Sequence, residues 1–271
     1  MDKKRIKAII TVNAHMAANM FDMRLSAPFI AETAVAGQFV TVYLNDGARL
    51  LPRPFGVCGA DRRTGEIRIV YGVVGEGTRV LSRMREDDEI FVMGPIGVGF
   101  PTEGRERHII IGGGAGIPPL LFLCQRLAKA NAGNIDVFLG YRTVLTDGHR
   151  NGAFLANDFS EIGVVPKIAT DDGSLGFKGD APSLFVKEIE PASLRNARVY
   201  ACGPNGMLKA VARLARKFDL DCFISVEERM ACGLGACVGC VVKVKDKGEW
   251  TYKKVCSNGP VFSAEEVFFD E

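Results

Sequence analysis

The chain has 271 residues, 47% of them hydrophobic and 24% charged, a balance that excludes a disordered or fibrous protein and a length that admits two or three domains with cores of their own. A formal charge of +2, with no Lys/Arg block, excludes an extended basic footprint, so nucleic acid is not expected as a partner. Eight cysteines without an export signal point to metal or redox chemistry in a reducing cytoplasm rather than to a disulfide framework.

The N-terminus MDKKRIKAIITVNAHMAANM opens basic, but Asn13, His15 and Asn19 interrupt the apolar run that a signal peptide needs, and a strand is expected there. From Ile6 to Gly99 the segments IKAIITV, GQFVTVYL, EIRIVYG and EIFVMG, parted by Gly, Pro, Asn and Asp turns, predict a small antiparallel barrel or sandwich. From His108 to about Ile224 strands alternate with helices. HIII, a helix over Pro118 to Lys129, IDVFLG, a helix near Ala153 to Phe159, VVPKIA, a helix near Ser183 to Ile189, RVYAC and a helix from Asn205 to Lys217 predict a parallel sheet with helices on both faces. In the last helix Asn205 is the expected N-cap, with Met207, Leu208, Val211 and Leu214 on one face. The uncharged run from Ile109 to Gln125 is too short and too rich in glycine and proline for a membrane span, so no membrane association is expected.

After Ile224 comes a glycine- and cysteine-rich loop, a polar hairpin around Asp246 to Trp250 and a short tail. This segment is too small for a self-sufficient core and calls for a metal centre to stabilise it. The expected architecture is an α+β multidomain chain: an antiparallel β-barrel over 1–101, an α/β nucleotide domain over 102–224 and a metal module over 225–271.

Cys232, Cys237, Cys240 and Cys256 follow the C-x4-C-x2-C…C spacing of plant-type [2Fe-2S] proteins. Three thiolates must converge from one short loop, and Gly233, Gly235 and Gly239 permit the tight backbone that turns N–H groups toward sulfur. A tetrahedral zinc site is the alternative, although zinc sites usually present two C-x2-C pairs and Cys256 stands alone. Upstream, Ile109 to Ile111 run into Gly112-Gly113-Gly114-Ala-Gly116-Ile-Pro118-Pro119 and a helix. A strand, a glycine turn and a helix N-terminus suit a pyrophosphate, but the fit to G-x-G-x-x-G is partial and a plain tight turn remains the alternative. In the front domain, Arg53 and Thr78 near glycine turns can grip a phosphate and Tyr71 can stack on a flat ring; turns of a barrel are the competing reading.

These pieces, in this order and over essentially the whole chain, resemble the ferredoxin reductase superfamily and, within it, the electron-transfer subunit of NAD-linked dihydroorotate dehydrogenase. The resemblance implies that Arg53, Pro54, Phe55, Gly56, Val70, Tyr71, Gly72, Gly77 and Thr78 contact FAD, with Arg53 and Thr78 on its pyrophosphate. It implies that Gly112, Gly113, Gly114 and Gly116 bind NAD and that Cys202, Gly203 and Pro204 close over the nicotinamide. The segments Ser225-Val-Glu-Glu228-Arg-Met230 and Val255-Cys256-Ser-Asn-Gly-Pro-Val-Phe262 carry the match to this subfamily. Gly56 departs from it, standing where Ser or Thr is usual beside the flavin N5.

The same resemblance implies a relay without a catalytic base. An FMN-containing dihydroorotate dehydrogenase subunit, joined to this chain in a heterotetramer of two plus two, would pass electrons through [2Fe-2S] and FAD to NAD+. Sister subunits serving ferredoxin, sulfide or glutamate chemistry reuse the same modules and are the nearest alternative; a zinc-stabilised scaffold is the alternative from another class. NAD is expected over NADP, with Arg142 and Arg150 the cations available for a 2′-phosphate. Cys58, Cys124 and Cys222 are expected as buried small hydrophobes, His15, His108 and His149 as surface or packing residues, and Phe268 and Phe269 as packing residues.

Overall fold

The computed structural model describes residues 3–17, 19–44, 47, 50–144 and 153–269; Arg150 and His149 lie outside them. In the front part, alternation of apolar and polar residues closes six antiparallel strands into a barrel: β1 (Lys4–Ala17), β2 (Met20–Ser26), β3 (Phe39–Tyr43), β4 (Arg53–Asp61), β5 (Glu66–Gly72) and β6 (Glu89–Ile96), in the order β1-β2-β5-β4-β3-β6. Two short helices, α1 (Pro28–Thr33) and α2 (Glu76–Leu81), fill its connections. The sequence pattern marks four of these strands. It misses β2, whose MFDMRLS mixes charges into the alternation, and β4, which contains the Arg53–Gly56 segment read only for its chemistry.

The second sheet has the order β10-β9-β8-β7-β11-β12-β15, built from β7 (Arg107–Gly113), β8 (Asn134–Tyr141), β9 (Lys167–Thr170), β10 (Phe177–Lys178), β11 (Ala197–Cys202) and β12 (Asp221–Ser225). These six pair in parallel. Between them run α3 (Ile117–Lys129), α4 (Ala156–Glu161), α5 (Ala181–Glu188) and α6 (Asn205–Lys217). In β7 the faces alternate: Ile110 packs with Leu120 and Leu121 of α3, whereas Ile109 and Ile111 pack with Leu184 of α5 and Leu208 of α6. Helices therefore cover both faces, as parallel strands require. Helix α4 begins three residues later than the sequence suggests, and the N-cap of α6 is Pro204 rather than Asn205, with no side-chain cap bond. Asn205 lies inside the first turn, where α6 follows directly on the Gly203-Pro204 turn.

The C-terminal segment forms a hairpin of β13 (Val241–Asp246) and β14 (Glu249–Lys254), a helical turn α7 (Val255–Asn258) and β15 (Val261–Ser263). Strand β15 pairs antiparallel with β12 and so completes the edge of the nucleotide-type sheet. Phe268 meets Trp250 edge to face, and Phe269 packs against the core.

Helix α3 also packs on the outside of β4, so one helix serves as wall to both halves. Beside it, Arg68 of β5 donates to Asp22 of β2 at 2.9 Å and to Asp158 of α4. All three side chains are at most 24% exposed, so the guanidinium neutralises two carboxylates that water solvates poorly. Arg68→Ala is expected to lower stability by about 3 kcal/mol, seen as a fall in the urea midpoint with the slope unchanged, and Arg68→Lys to recover part of it.

Candidate functional site

Two groups of sequence-marked residues, Gly112–Gly116 and Cys202–Pro204, meet at the carboxyl ends of the parallel strands. The strand order reverses between β7 and β11, because β8 and β9 lie on one side of β7 and β11 and β12 on the other. Such a switch point leaves a crevice beyond the strand ends. Gly112 at the end of β7 is the register partner of Cys202 at the end of β11. A Cβ built on Gly116 would fall 2.3 Å from the carbonyl carbon of Cys202 and 2.4 Å from the nitrogen of Gly203. Two segments nearly ninety positions apart thus touch backbone to backbone, which only glycine allows. Gly113 lies against Met207 and Pro204, while Gly114, at φ +51°, opens to free space. Helix α3 starts directly after, with Pro118 and Pro119 in its first turn, where a missing N–H costs nothing.

The Cys202 thiol is buried and pushed upward, first by burial and then by the Glu227 carboxylate, while the Ser225 hydroxyl bonded to it works the other way. Ser225 is the register partner of Cys202 on β12. Glu227 is exposed, and partial desolvation raises its carboxyl above the ordinary range. Ser225 and Glu227 enter the sequence reading only as part of a family signature; their approach to Cys202 depends on strand pairing, which no local motif reports.

One front-domain residue, Gly56, borders the same crevice. Gly56 on β4 faces the first turn of α3, and a Cβ there would lie 3.2–3.4 Å from the ring of Pro119. This contact gives a physical reason for glycine where a hydroxyl residue is usual. The Arg53 guanidinium lies against Gly77, whose Cβ would sit 2.2 Å from Nε, and Arg53 Nη1 donates to the Leu51 carbonyl at 2.5 Å. The Thr78 hydroxyl accepts from the N–H of Val74 at 2.9 Å and of Gly75 at 3.1 Å and donates to Gly75 O at 3.0 Å. Its hydrogen-bonding capacity is used in shaping the turn, so the charge near that turn comes from Arg53. Val70 is buried on β5, Gly72 ends that strand, and Pro54 is exposed. Tyr71 departs from its expected part: its ring is buried, stacked on Phe21 and tilted against Phe55, and its hydroxyl donates to Asn13 Oδ1 at 3.0 Å. No open ring face remains for stacking on a ligand; Phe55, half-buried on β4 and the register partner of Val40, turns to the same barrel-side face as Tyr71.

The cysteine loop carries two kinds of sulfur. Cys232 Sγ accepts from the N–H groups of Leu234 at 3.3 Å and Cys237 at 3.4 Å. These donors, Cys237 first, pull its thiol down to about 6, so a thiolate, the form that binds metal, prevails at neutral pH. Cys240 and Cys256 are buried, and Cys256 is pushed up to about 11 by burial and by its hydrogen bond to Cys240. Cys232 and Cys237 are half-buried and Cys240 and Cys256 buried, so the set spans the surface and the interior of the loop. Among the described residues no three His, Cys, Asp or Glu side chains gather tightly enough around one point to hold a single ion. Lys254 Nζ fixes the loop by donating to Gly235 O at 2.6 Å.

Outside the crevice, Cys58, Cys124 and Cys222 are buried, and burial raises each thiol, the first two to about 12. His108 is internal, bonded to Tyr200 and to Ala132 O, and His15 packs on Phe21. Arg142 is exposed just past β8.

Residues 227–268 match the family described as the iron-sulfur cluster binding domain of dihydroorotate dehydrogenase B. A protein of Caldanaerobacter subterraneus named "Dihydroorotate dehydrogenase B (NAD(+)), electron transfer subunit" is 37% identical, over 98% of this chain and 99% of that one. One of the same name from Geobacillus sp. strain WCH70 is 39% identical over 95% and 97%. This chain belongs to that family of electron transfer subunits. Among solved structures it is similar to that of an NADH-dependent reduced ferredoxin-NADP oxidoreductase described for flavin-based electron bifurcation, with 31% identity, TM-score 0.82 and coverage of 96% and 89%. A cytochrome P450 reductase of Amycolatopsis, at 18% identity and TM-score 0.65, shares the fold. No helix among the described residues is long and apolar enough to cross a membrane.

The crevice makes a graded prediction at its glycines. Gly116→Ala forces backbone against backbone and is expected to cost about 2–3 kcal/mol, whereas Gly114→Ala meets nothing and costs about 1 kcal/mol through its left-handed φ alone. Paired denaturation curves check the difference.

Proposed function

We propose that this chain is the NAD-facing electron-transfer subunit of a two-component dihydroorotate dehydrogenase, carrying FAD, [2Fe-2S] and an NAD site. The observation that supports it most is the set Cys232, Cys237, Cys240 and Cys256, with backbone N–H groups turned onto the Cys232 sulfur, in a segment attached to both the barrel and the nucleotide-type sheet. The C-x4-C-x2-C…C spacing is that of two-iron proteins, whereas zinc sites usually present two C-x2-C pairs. When bound, flavin exchanges both hydride and single electrons, and the cluster exchanges single electrons with a partner.

The chain's own residues have simpler duties. Arg53 offers positive charge and the Gly75–Thr78 turn offers backbone to the FAD pyrophosphate, and Gly56 leaves the face of β4 beside Pro119 without a side chain. The glycine turn Gly112–Gly116 holds the NAD pyrophosphate by close backbone approach, and α3, whose first turn has prolines instead of N–H donors, adds its dipole. Cys202, Ser225 and Glu227 line the nicotinamide end, and the contact of Gly56 with Pro119 keeps the two sites adjoining. The Leu234 and Cys237 N–H groups hold Cys232 as thiolate. No residue is needed as a base, because dihydroorotate is oxidised on the FMN partner. We assign the domains as 1–101, 102–224 and 225–271, the complex as two such chains with two catalytic ones, and the compartment as the cytoplasm, the last on eight unpaired thiols.

The similarity to the bifurcating oxidoreductase supports a second reading, a sister subunit serving ferredoxin chemistry. Co-expression separates them. With an FMN-containing dihydroorotate dehydrogenase the expected product is a two-plus-two complex that reduces NAD+ with dihydroorotate. Association instead with a glutamate-synthase-like or ferredoxin-linked flavoprotein would assign the chain elsewhere. Within the complex, Cys237→Ser is expected to abolish NAD+ reduction by dihydroorotate while NADH still reduces artificial acceptors through FAD; equal loss of both would reject this division of labour.

A further inference from the structure

One side chain beneath the cysteine loop has no structural employment. Thr41 sits mid-way along β3, with Pro54 as register partner on β4 and Met93 on β6. It is wholly buried, and its hydroxyl has no hydrogen-bond partner among the described residues. Its neighbours Val40 and Val42 point into the barrel core, so Thr41 points outward, toward the C-terminal segment. The loop's first turn covers it there: Gly233, next to Cys232, has φ +65°, and a Cβ on it would lie 3.3 Å from the Thr41 methyl carbon and 3.2 Å from Met93 Cε. Valine would fill this space equally well. The cross-strand partner Pro54 has no N–H to offer, and Met93 and Ile96, the other groups near Gly233, are apolar. A hydroxyl shut away from water without a partner is as costly as a lost hydrogen bond, so its retention calls for an acceptor beside the loop.

We infer that the Thr41 hydroxyl donates a hydrogen bond to a sulfur of the cluster seated in the loop above it, and that this bond sets the cluster's reduction potential from the barrel side. The inference rests on the reading that these four cysteines hold [2Fe-2S]. Sulfur gains negative charge on reduction, so a donor stabilises the reduced form more and raises the potential. The loop supplies backbone N–H groups to Cys232 from its own turn; Thr41 is the side-chain donor contributed by the barrel, the part of the chain that borders the flavin crevice.

The test uses holoprotein and its Thr41→Val and Thr41→Ser variants. Iron, sulfide and the visible spectrum come first, since wild type without iron would overturn the cluster reading itself. With iron present, potentiometric titration followed by electron paramagnetic resonance is expected to show Thr41→Val with full iron and a lower midpoint, the oxidised-to-reduced ratio at fixed potential changing about tenfold, or ~59 mV for one electron. Thr41→Ser should titrate like wild type. Resonance Raman should show an Fe–S band that shifts in D2O for wild type and Thr41→Ser and shifts less for Thr41→Val. If the valine displaces the loop and iron is lost, Thr41→Ala against Thr41→Ser gives the same comparison without the added methyl. Equal midpoints and equal D2O shifts with and without the hydroxyl, in iron-loaded protein, would overturn the inference while leaving the cluster reading intact.

Discussion

The backbone of Gly259, Pro260 and Val261 is bonded to both halves of the molecule at once. Val98, just past the end of β6, donates its N–H to Gly259 O at 2.5 Å, and Val226, just past β12, donates to Pro260 O at 3.0 Å. Val261 opens β15, which pairs with β12. Gly97, at φ +89°, comes so close that a Cβ would lie 2.5 Å from Gly259 O; only glycine combines that conformation with that approach. The segment that carries Cys256 is therefore fixed to the barrel and the parallel sheet together. Everything proposed for the molecule depends on this junction, because electron transfer demands fixed separations between centres held by different parts of the chain.

The remaining contacts repeat the same solution on a smaller scale. Linker residues Pro101 and Glu103 are tied down by Arg198, which donates to both carbonyls, and by the Tyr200 hydroxyl. Arg68 spans the barrel and α4, and α3 is wall to both. A hinge between the halves would break each of these, so the crevice is better described as preformed than as closed by ligand. That suits a relay: its work is holding groups in place and setting their energies, with no bond in substrate to be strained.

Much of this was legible in the sequence because it is locally encoded. The cysteine spacing, the glycine run after HIII, the change from strand rhythm to strand-helix rhythm near His108 and the buried character of Cys58, Cys124 and Cys222 all depend on neighbours in the chain. What escaped depends on pairing at a distance. Ser225 and Glu227 reach Cys202 only because β12 lies beside β11; the constraint on Gly56 comes from Pro119, far along the chain; Tyr71 is shut in by Phe21 and Phe55 across two strand pairs; Thr78 spends its hydroxyl on its own turn. The segment from Ser225 to Glu271 reads as a separate metal module, and nothing in its composition shows that three of its residues complete the edge of another sheet.

One folded unit that connects nicotinamide chemistry to the cysteine loop must pass electrons from NADH to iron by itself. The most direct test is anaerobic titration of the isolated subunit with NADH, followed together by visible absorbance and electron paramagnetic resonance. Flavin bleaching is expected together with a low-temperature signal of a reduced two-iron cluster that grows with added NADH and needs no partner protein. Bleaching of flavin with the iron remaining silent, although dithionite reduces it in the same sample, would show that the two centres are not connected within this chain.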